Sequence, residues 1–318
     1  MKPCPLSVCV PTYNYAGYLP QALDSILCQS FADFELLVID DCSTDDTPSV
    51  VCDYAARDSR IRFLVNAQRK GMVPNWNACL SEARGTHIKF VFADDLLLSP
   101  DALSRMLSVL QSRDHVSLVS CACRIIDAES RSIKVRAAFQ RDLTAPGPSV
   151  IRLCLARQSN LIGEPTAVMF RKVEALRGFQ IQYRQIVDQE MWFHILGKGG
   201  FAYINEPLVA FRNHPGQQTV HNRGNPLAAL DEVLRLNEQY LGKESVRIGR
   251  FLRTYIRWDW SYRLWRLHIT NQIGRETAIN EINRGYVYRK FVLWYPLYKI
   301  IKPFLKLFRV LRPAEKSL

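Results

Sequence analysis

The chain has 318 residues, 48% of them hydrophobic and 23% charged, a globular composition that excludes a disordered or collagen-like chain. Its formal charge is +12, and residues 225–318 hold 18 basic against 8 acidic side chains, so a near-neutral body precedes a basic tail. A near-neutral body with no recognition motif argues against nucleic acid as a partner, and no run of about 18 uncharged apolar residues suggests a bilayer-spanning helix.

The first apolar run, Leu6–Val10, is too short for a helix and ends at Pro11, so it reads as a buried strand. The N-terminus runs straight into it and lacks a signal-peptide core. A helix is expected over 18–29, with Leu19, Ala22, Leu23, Ile26 and Leu27 on one face. Residues 35–40 form the second strand. Ser43 or Thr44 is expected to cap a helix running to about Ala56. Strand 61–65, helix 73–83 and strand 87–92 follow, with Gly85 expected at the C′ position of the third helix. Such alternation predicts an α/β domain with a mostly parallel sheet, which binds ligands at the carboxyl ends of its strands. Later, 163–170 reads as a turn entering a strand, and 201–204 and 208–212 as two strands. From about Leu227 to Arg312 the pattern is helical and holds Trp258, Trp260, Trp265 and Trp294, four of the six tryptophans. The expected domains are 1–224 and 225–318. The nine cysteines show no metal spacing and read as free thiols of a reducing compartment.

Two acidic pairs close neighbouring strands, Asp40-Asp41 and Asp94-Asp95. Like charges at adjacent strand ends repel unless a cation or hydrogen-bond donors sit between them. Hard oxygen donors suit Mg²⁺ or Mn²⁺ on a nucleoside diphosphate. Helix capping is the competing explanation for Asp40, Asp45 and Asp46. Walker, dinucleotide-binding and serine-hydrolase motifs are absent.

Val10-Pro11-Thr12-Tyr13-Asn14, Val38-Ile39-Asp40-Asp41-Cys42-Ser43-Thr44-Asp45-Asp46-Thr47, Asn66, Gly71, Asn75-Trp76-Asn77 and Ala83-Arg84-Gly85 occur in this order. Together they resemble the nucleotide-binding half of family 2 inverting glycosyltransferases, over roughly residues 5–220. The resemblance implies a GT-A fold, an αβα sandwich around a mixed sheet, followed here by a helical C-terminal region. It implies transfer of a sugar from a UDP- or dTDP-sugar to a saccharide or lipid-linked acceptor, with inversion, in a pathway such as surface polysaccharide assembly. It implies nucleotide contacts from Pro11, Thr12, Tyr13 and Asp41, with Asp40 the weaker choice, and a metal on Asp94. The family's first DxD carboxylate is replaced by Phe92, so Asp95 is considered as a substitute ligand. Val187-Asp188-Gln189-Glu190-Met191-Trp192 is similar to the family's catalytic stretch, with Val187 in place of a Glu. Asp188 matches the general base that takes the acceptor proton. Glu164, Glu190 and Trp192 are candidates for the acceptor side. After the last strand, His214 is expected at the metal or diphosphate and Arg212 at the leaving diphosphate.

The two departures, Phe92 and Val187, keep open a catalytically degenerate sugar-nucleotide-binding protein, and a nucleotidyltransferase is a further alternative. In the tail, Lys299, Lys302, Lys306 and Arg309 fall on one helical face, with Leu297, Ile300, Ile301, Phe304, Leu307 and Phe308 largely on the other. This pattern predicts peripheral binding to an anionic membrane surface, on the cytoplasmic face.

Overall fold

The computed structural model describes residues 4–217, 225–285, 291–293 and 295–296. Strands β1 (Leu6–Thr12), β2 (Glu35–Asp40), β3 (Ile61–Val65) and β4 (His87–Phe90) alternate with helices α1 (Leu19–Leu27), α2 (Thr47–Ala55) and α3 (Met72–Glu82). β1 pairs parallel with both β2 and β4, and β2 with β3. Each of β1, β2 and β4 is buried along its whole length. That is why the runs of β1 and β2 are nearly continuous, whereas β4 alternates His87, Ile88, Lys89 and Phe90 and buries its polar side chains as well. Leu6, Val8 and Val10 join Leu19, Leu23 and Ile26 of α1 in one hydrophobic cluster. Burial of each such side chain stabilises by about 1.5–3 kcal/mol.

The chain then adds β5 (Leu96–Leu97), α4 (Ala102–Ser112), β6 (Val116–Ile126), β7 (Ser132–Arg136), β8 (Leu143–Pro146) and α5 (Gly147–Arg157). β9 (Val168–Arg171), α6 (Val187–Leu196) and β10 (Gly200–Arg212) complete the body. The sheet order is β3-β2-β1-β4-β9-β6-β10-β5, with β7 on β6 and β8 on β10. β9 runs antiparallel between β4 and β6. The strands β1, β2, β3, β4, β6 and β10 therefore share one direction, and the sheet is mixed but mostly parallel. The carboxyl ends of those strands open on one edge.

Local details differ from the sequence expectations. Residues 201–212 form one strand, irregular between Ile204 and Val209, where Pro207 cannot donate to the ladder. Helix α2 begins at Thr47, because Ser43 bonds to Asp40 and Thr44 to Asn14. Gly85 is no helix cap. A Cβ there would lie 2.3 Å from the Ser7 backbone nitrogen, so glycine is required by close packing against β1.

Two compact units emerge, Met1–Ile151 with Asn160–His221, and Arg152–Ser159 with Asn222–Leu318. The 152–159 segment groups with the C-terminal residues. Within the second unit, α7 (Pro226–Leu241), α8 (Arg250–Ile269) and α9 (Arg275–Gly285) form the described helices. Asn237 of α7 donates to the Gln158 side chain at 3.1 Å, which ties that segment to the C-terminal helices. Leu234, Trp260, Leu264, Ile282 and Phe291 form this unit's own core. Trp260 is thereby core packing, while Arg250, Arg253 and Arg257 line an exposed face of α8. Among the described residues, no helix is long and apolar enough to cross a membrane. The basic segment 299–309 and Trp294 lie outside the described residues.

Candidate active site

Parallel pairing brings Thr12, Asp40 and the segment after Phe90 to one edge, and β10 delivers the 212–214 segment to the same edge. At the first of these ends, Asp41 donates its backbone N–H to the Thr12 carbonyl at 2.9 Å. Its carboxylate accepts from Asn66 Nδ2 (2.9 Å), Lys70 N (2.8 Å) and Gly71 N (2.7 Å). Asn66 Nδ2 also donates to Asn75 Oδ1, and Asn75 Nδ2 to the Ile39 carbonyl. Gly71 reaches this geometry at φ +91°, where a side chain would be strained. A carboxylate offers about four acceptor positions. Three are occupied here, which leaves Asp41 one for a ligand.

Around this carboxylate, Asn14 (φ +56°) donates its N–H to Ser43 Oγ and accepts from the Thr44 N–H. The Arg69 guanidinium lies 4.0 Å over the Tyr13 ring. Thr12 Oγ1 is buried and has no hydrogen-bond partner among the described residues. Pro11 is buried within β1. Asp40 has a different task. It is fully buried and holds Ser43 through the backbone N–H (2.9 Å) and the hydroxyl, so it shapes the turn and does not face a ligand.

At the next strand end, His214 Nε2 lies 3.0 Å from Asp94 Oδ2. The imidazole packs edge-on against Tyr15 and tilted against Tyr18. Burial and the charges of Asp94 and Asp95 hold the Tyr15 phenol far above its usual pKa. Asp95 and Arg212, expected at the metal and the diphosphate, are both engaged inside the protein. Asp95 is fully buried, accepting from Thr166 Oγ1 at 2.5 Å and from the Arg212 N–H at 3.0 Å. Arg212 is also fully buried, and its guanidinium lies over the Tyr18 ring. It donates to the carbonyls of Asp94, Asp127 and Ala128, to Ser130 Oγ and to Gln21 Oε1. A guanidinium so used clamps β10 to its neighbours and cannot also grip a diphosphate.

Among the described residues, no three His, Cys, Asp or Glu side chains converge to hold a metal. Asp94 and His214 nevertheless fit a divalent cation that draws its other ligands from phosphate and water. Mg²⁺ is commonly held through one or two carboxylates plus substrate oxygens. The 3.0 Å separation matches two adjacent donors of an octahedral ion with bonds of about 2.1 Å.

The remaining candidates lie on the β9 and α6 side. Thr166 joins the two regions. Its hydroxyl donates to Asp95 and accepts from the Phe92 N–H, while its carbonyl accepts from Lys89 Nζ. Lys89 is a fully buried lysine that sequence reasoning passed over, with its pKa lowered to about 8 by burial. Glu164 pairs with Arg136 of β7 at a partly exposed position. Asp188, in the first turn of α6, is half-buried and accepts from Asn160 Nδ2 at 3.3 Å. Burial raises its pKa to about 7, with the Glu164 charge adding to the effect and Arg136 opposing it. A carboxyl poised near neutrality suits proton abstraction.

Glu190 and Trp192 do not serve the acceptor side. Glu190 is buried and makes a bidentate pair with Arg177 at 2.7 and 2.8 Å. Trp192 is fully buried against Phe170 and Phe179, and its indole N–H donates to the Gly163 carbonyl at 3.0 Å. Their place on α6 explains this, since that helix is buried over most of its length, only Asp188, Gln189 and His194 being partly exposed. Arg177→Ala strands the Glu190 charge, and should cost about 2–3 kcal/mol, discounted because Arg177 is partly exposed. Chemical denaturation checks this loss, and Arg177→Ala with Glu190→Leu should recover most of it.

The chain thus combines a mostly parallel sheet, carboxylates at its strand ends and a carboxyl near neutrality on α6, and several of its relatives carry glycosyltransferase names. It belongs to glycosyl transferase family 2, whose sequence profile matches residues 7–174, more than half of the chain. It is 28% identical over 209 residues to the putative teichuronic acid biosynthesis glycosyltransferase TuaG of Bacillus subtilis, covering 65% of this chain and 78% of that one. It is 44% identical over 112 residues to the GalNAc(5)-diNAcBac-PP-undecaprenol beta-1,3-glucosyltransferase of Campylobacter jejuni, covering 35% and 36%. Its fold is that of the TarS 1-349 fragment from S. aureus solved with UDP-GlcNAc, with TM-score 0.67 and 19% identity over 90% of this chain and 82% of that one. The fold class expected from the sequence, a GT-A sandwich followed by a helical region, is therefore correct.

Proposed function

We propose that this glycosyltransferase moves a sugar, with inversion, from a UDP- or dTDP-sugar to a saccharide or lipid-linked acceptor in surface polysaccharide assembly. The single observation that carries the reading is Asp188. It is a half-buried carboxyl in the first turn of α6, bonded to Asn160 Nδ2 and with its pKa raised to about 7. Asp41, with one acceptor position left, and the partnerless Thr12 hydroxyl receive the nucleotide beside Pro11 and Tyr13. Asp94 and His214 would hold a Mg²⁺ or Mn²⁺ ion, which would supply charge stabilisation to the leaving diphosphate. Asp188 accepts the acceptor hydroxyl proton as that oxygen attacks the anomeric carbon, whose oxocarbenium character the departing diphosphate creates. Glu164 borders the acceptor. The relatives named for teichuronic acid and undecaprenol-linked glycans support the acceptor class. The exposed arginines of α8, with Phe251 exposed beside them, support a peripheral position on an anionic, cytoplasmic membrane face.

A panel of nucleotide sugars with and without Mn²⁺ or Mg²⁺, with membrane extract as acceptor source, tests this. The expected result is metal-dependent release of nucleoside diphosphate from one UDP- or dTDP-sugar. Pyrophosphate release would indicate a nucleotidyltransferase instead. Binding without turnover in the presence of extract would indicate a degenerate, sugar-nucleotide-binding protein.

A further inference from the structure

We propose that Asn160 is the positioning residue of the active site, the side chain that fixes the orientation of the Asp188 carboxylate and favours its ionised form. This rests on reading Asp188 as the base. Asn160 Oδ1 accepts from the backbone N–H groups of Ile162 (3.0 Å) and Gly163 (3.1 Å). Its Nδ2 donates to the Gly163 carbonyl (3.2 Å) and to Asp188 Oδ2 (3.3 Å). Two backbone donors on one side of the amide settle its orientation, because the flipped amide would set NH₂ against two N–H groups. The nitrogen must therefore face Asp188.

The turn holding Asn160 is itself anchored from three sides. Ser120 Oγ of β6 donates to the Ile162 carbonyl, and Trp192 of α6 donates to the Gly163 carbonyl. Gly163 sits at φ +117°, and a Cβ there would come within 3.1 Å of Ala167 Cβ. The helix carrying Asp188 and the turn carrying Asn160 thus share a fixed contact at Trp192, four residues along α6 from the carboxylate. A donor delivered from so rigid a frame restricts rotation of the carboxylate and stabilises its anion. A separation of 3.3 Å leaves room for this bond to shorten when an acceptor is bound, as catalytic hydrogen bonds do.

The charged groups facing Asp188 are Glu164, from the segment before β9, and Arg136, from β7. They pair with one another, so their effects on Asp188 largely oppose. On its own helix, Glu190 is neutralised by Arg177. The backbone N–H groups of Gln189 and Asp188 also donate to this carboxylate, so Asn160 is the side-chain donor added to them, and replacing it with a carboxylate sets a like charge against the base.

The test is Asn160→Asp, which keeps an acceptor for the Ile162 and Gly163 amides and so keeps the turn. Asn160→Ala serves as a second variant. The titration of Asp188 is followed by carbon-13 NMR of labelled aspartate carboxyls, assigned by the signal missing in Asp188→Asn. The expected result is an upward movement of the Asp188 midpoint by about one unit or more in Asn160→Asp, and a smaller rise in Asn160→Ala. The acid limb of turnover, read as UDP release from UDP-sugars with water as acceptor, should move with it, lowering turnover about fivefold at neutral pH for a one-unit rise. An unmoved midpoint in folded Asn160→Asp overturns the inference alone. Undiminished turnover in Asp188→Asn overturns the base assignment and the inference with it.

Discussion

Asp188→Asn is expected to lower turnover by about 10²–10⁴-fold, the usual contribution of a positioned general base, and to leave nucleotide binding intact. The variant keeps the size of the side chain and removes only its ability to take a proton. Asp188 is bonded to Asn160 and takes no part in the network of Asp41, Asn66 and Gly71. Isothermal titration with UDP or dTDP, beside turnover measurements, checks both halves of the expectation. The pH dependence follows from the same carboxyl. Its pKa is raised to about 7, and the ionised form is the active one, so turnover by the wild type falls as pH drops below about 7. Stability runs in the opposite direction. Between the unfolded carboxyl's value of about 3.9 and the folded value, the native state holds a proton that the unfolded chain has released. Stability therefore declines as pH rises through that window and levels off above about 7. Asp188→Asn lacks this penalty, so its Tm should exceed that of the wild type at pH 8 and converge with it near pH 4. A variant that is less active yet more stable is the signature of a functional group held under strain by its surroundings.

The strands β1 and β2 were legible because both of their faces are buried, and largely apolar runs such as Leu6–Val10 and Leu36–Ile39 admit few other readings. The region from 96 to 160 carried weaker signals. β7 is an exposed edge strand, and β8 is four residues long, so neither shows a buried run. At the site, residue type named the candidates, but tertiary contacts decided their tasks. Asp40 and Asp41 are adjacent and chemically identical. One is consumed by Ser43, and the other faces the 66–71 loop, a distinction set by strand direction alone. Arg212 had the right charge for a diphosphate, but the 127–130 turn, invisible as such in the sequence, surrounds its guanidinium with carbonyls. Asn160 had an available signal. An Asn two and three residues ahead of Ile162 and Gly163 is the spacing of a side chain that caps a turn.

Asp94→Asn and His214→Gln should each remove activation by divalent metal and reduce turnover by about 10²–10³-fold, the scale on which charge stabilisation at the leaving group acts. The two side chains are 3.0 Å apart and, among the described residues, no third protein ligand converges with them, so loss of either would leave the ion one of these two protein groups. Combined, the two changes should be far less than additive, because they disable the same ion. A chelator should bring the wild type down to the level of either variant and leave the variants unaffected. Asp95→Asn provides the contrast. Its carboxylate is enclosed by Thr166 Oγ1 and the Arg212 N–H, so its loss belongs in the melting curve and not in the metal titration. Metal activation curves for the four proteins, beside their melting temperatures, separate the two roles. If His214→Gln retained the wild-type metal response, the His214–Asp94 contact would be a hydrogen bond that shapes the loop after β10. The ion would then depend on Asp94 and substrate oxygens alone.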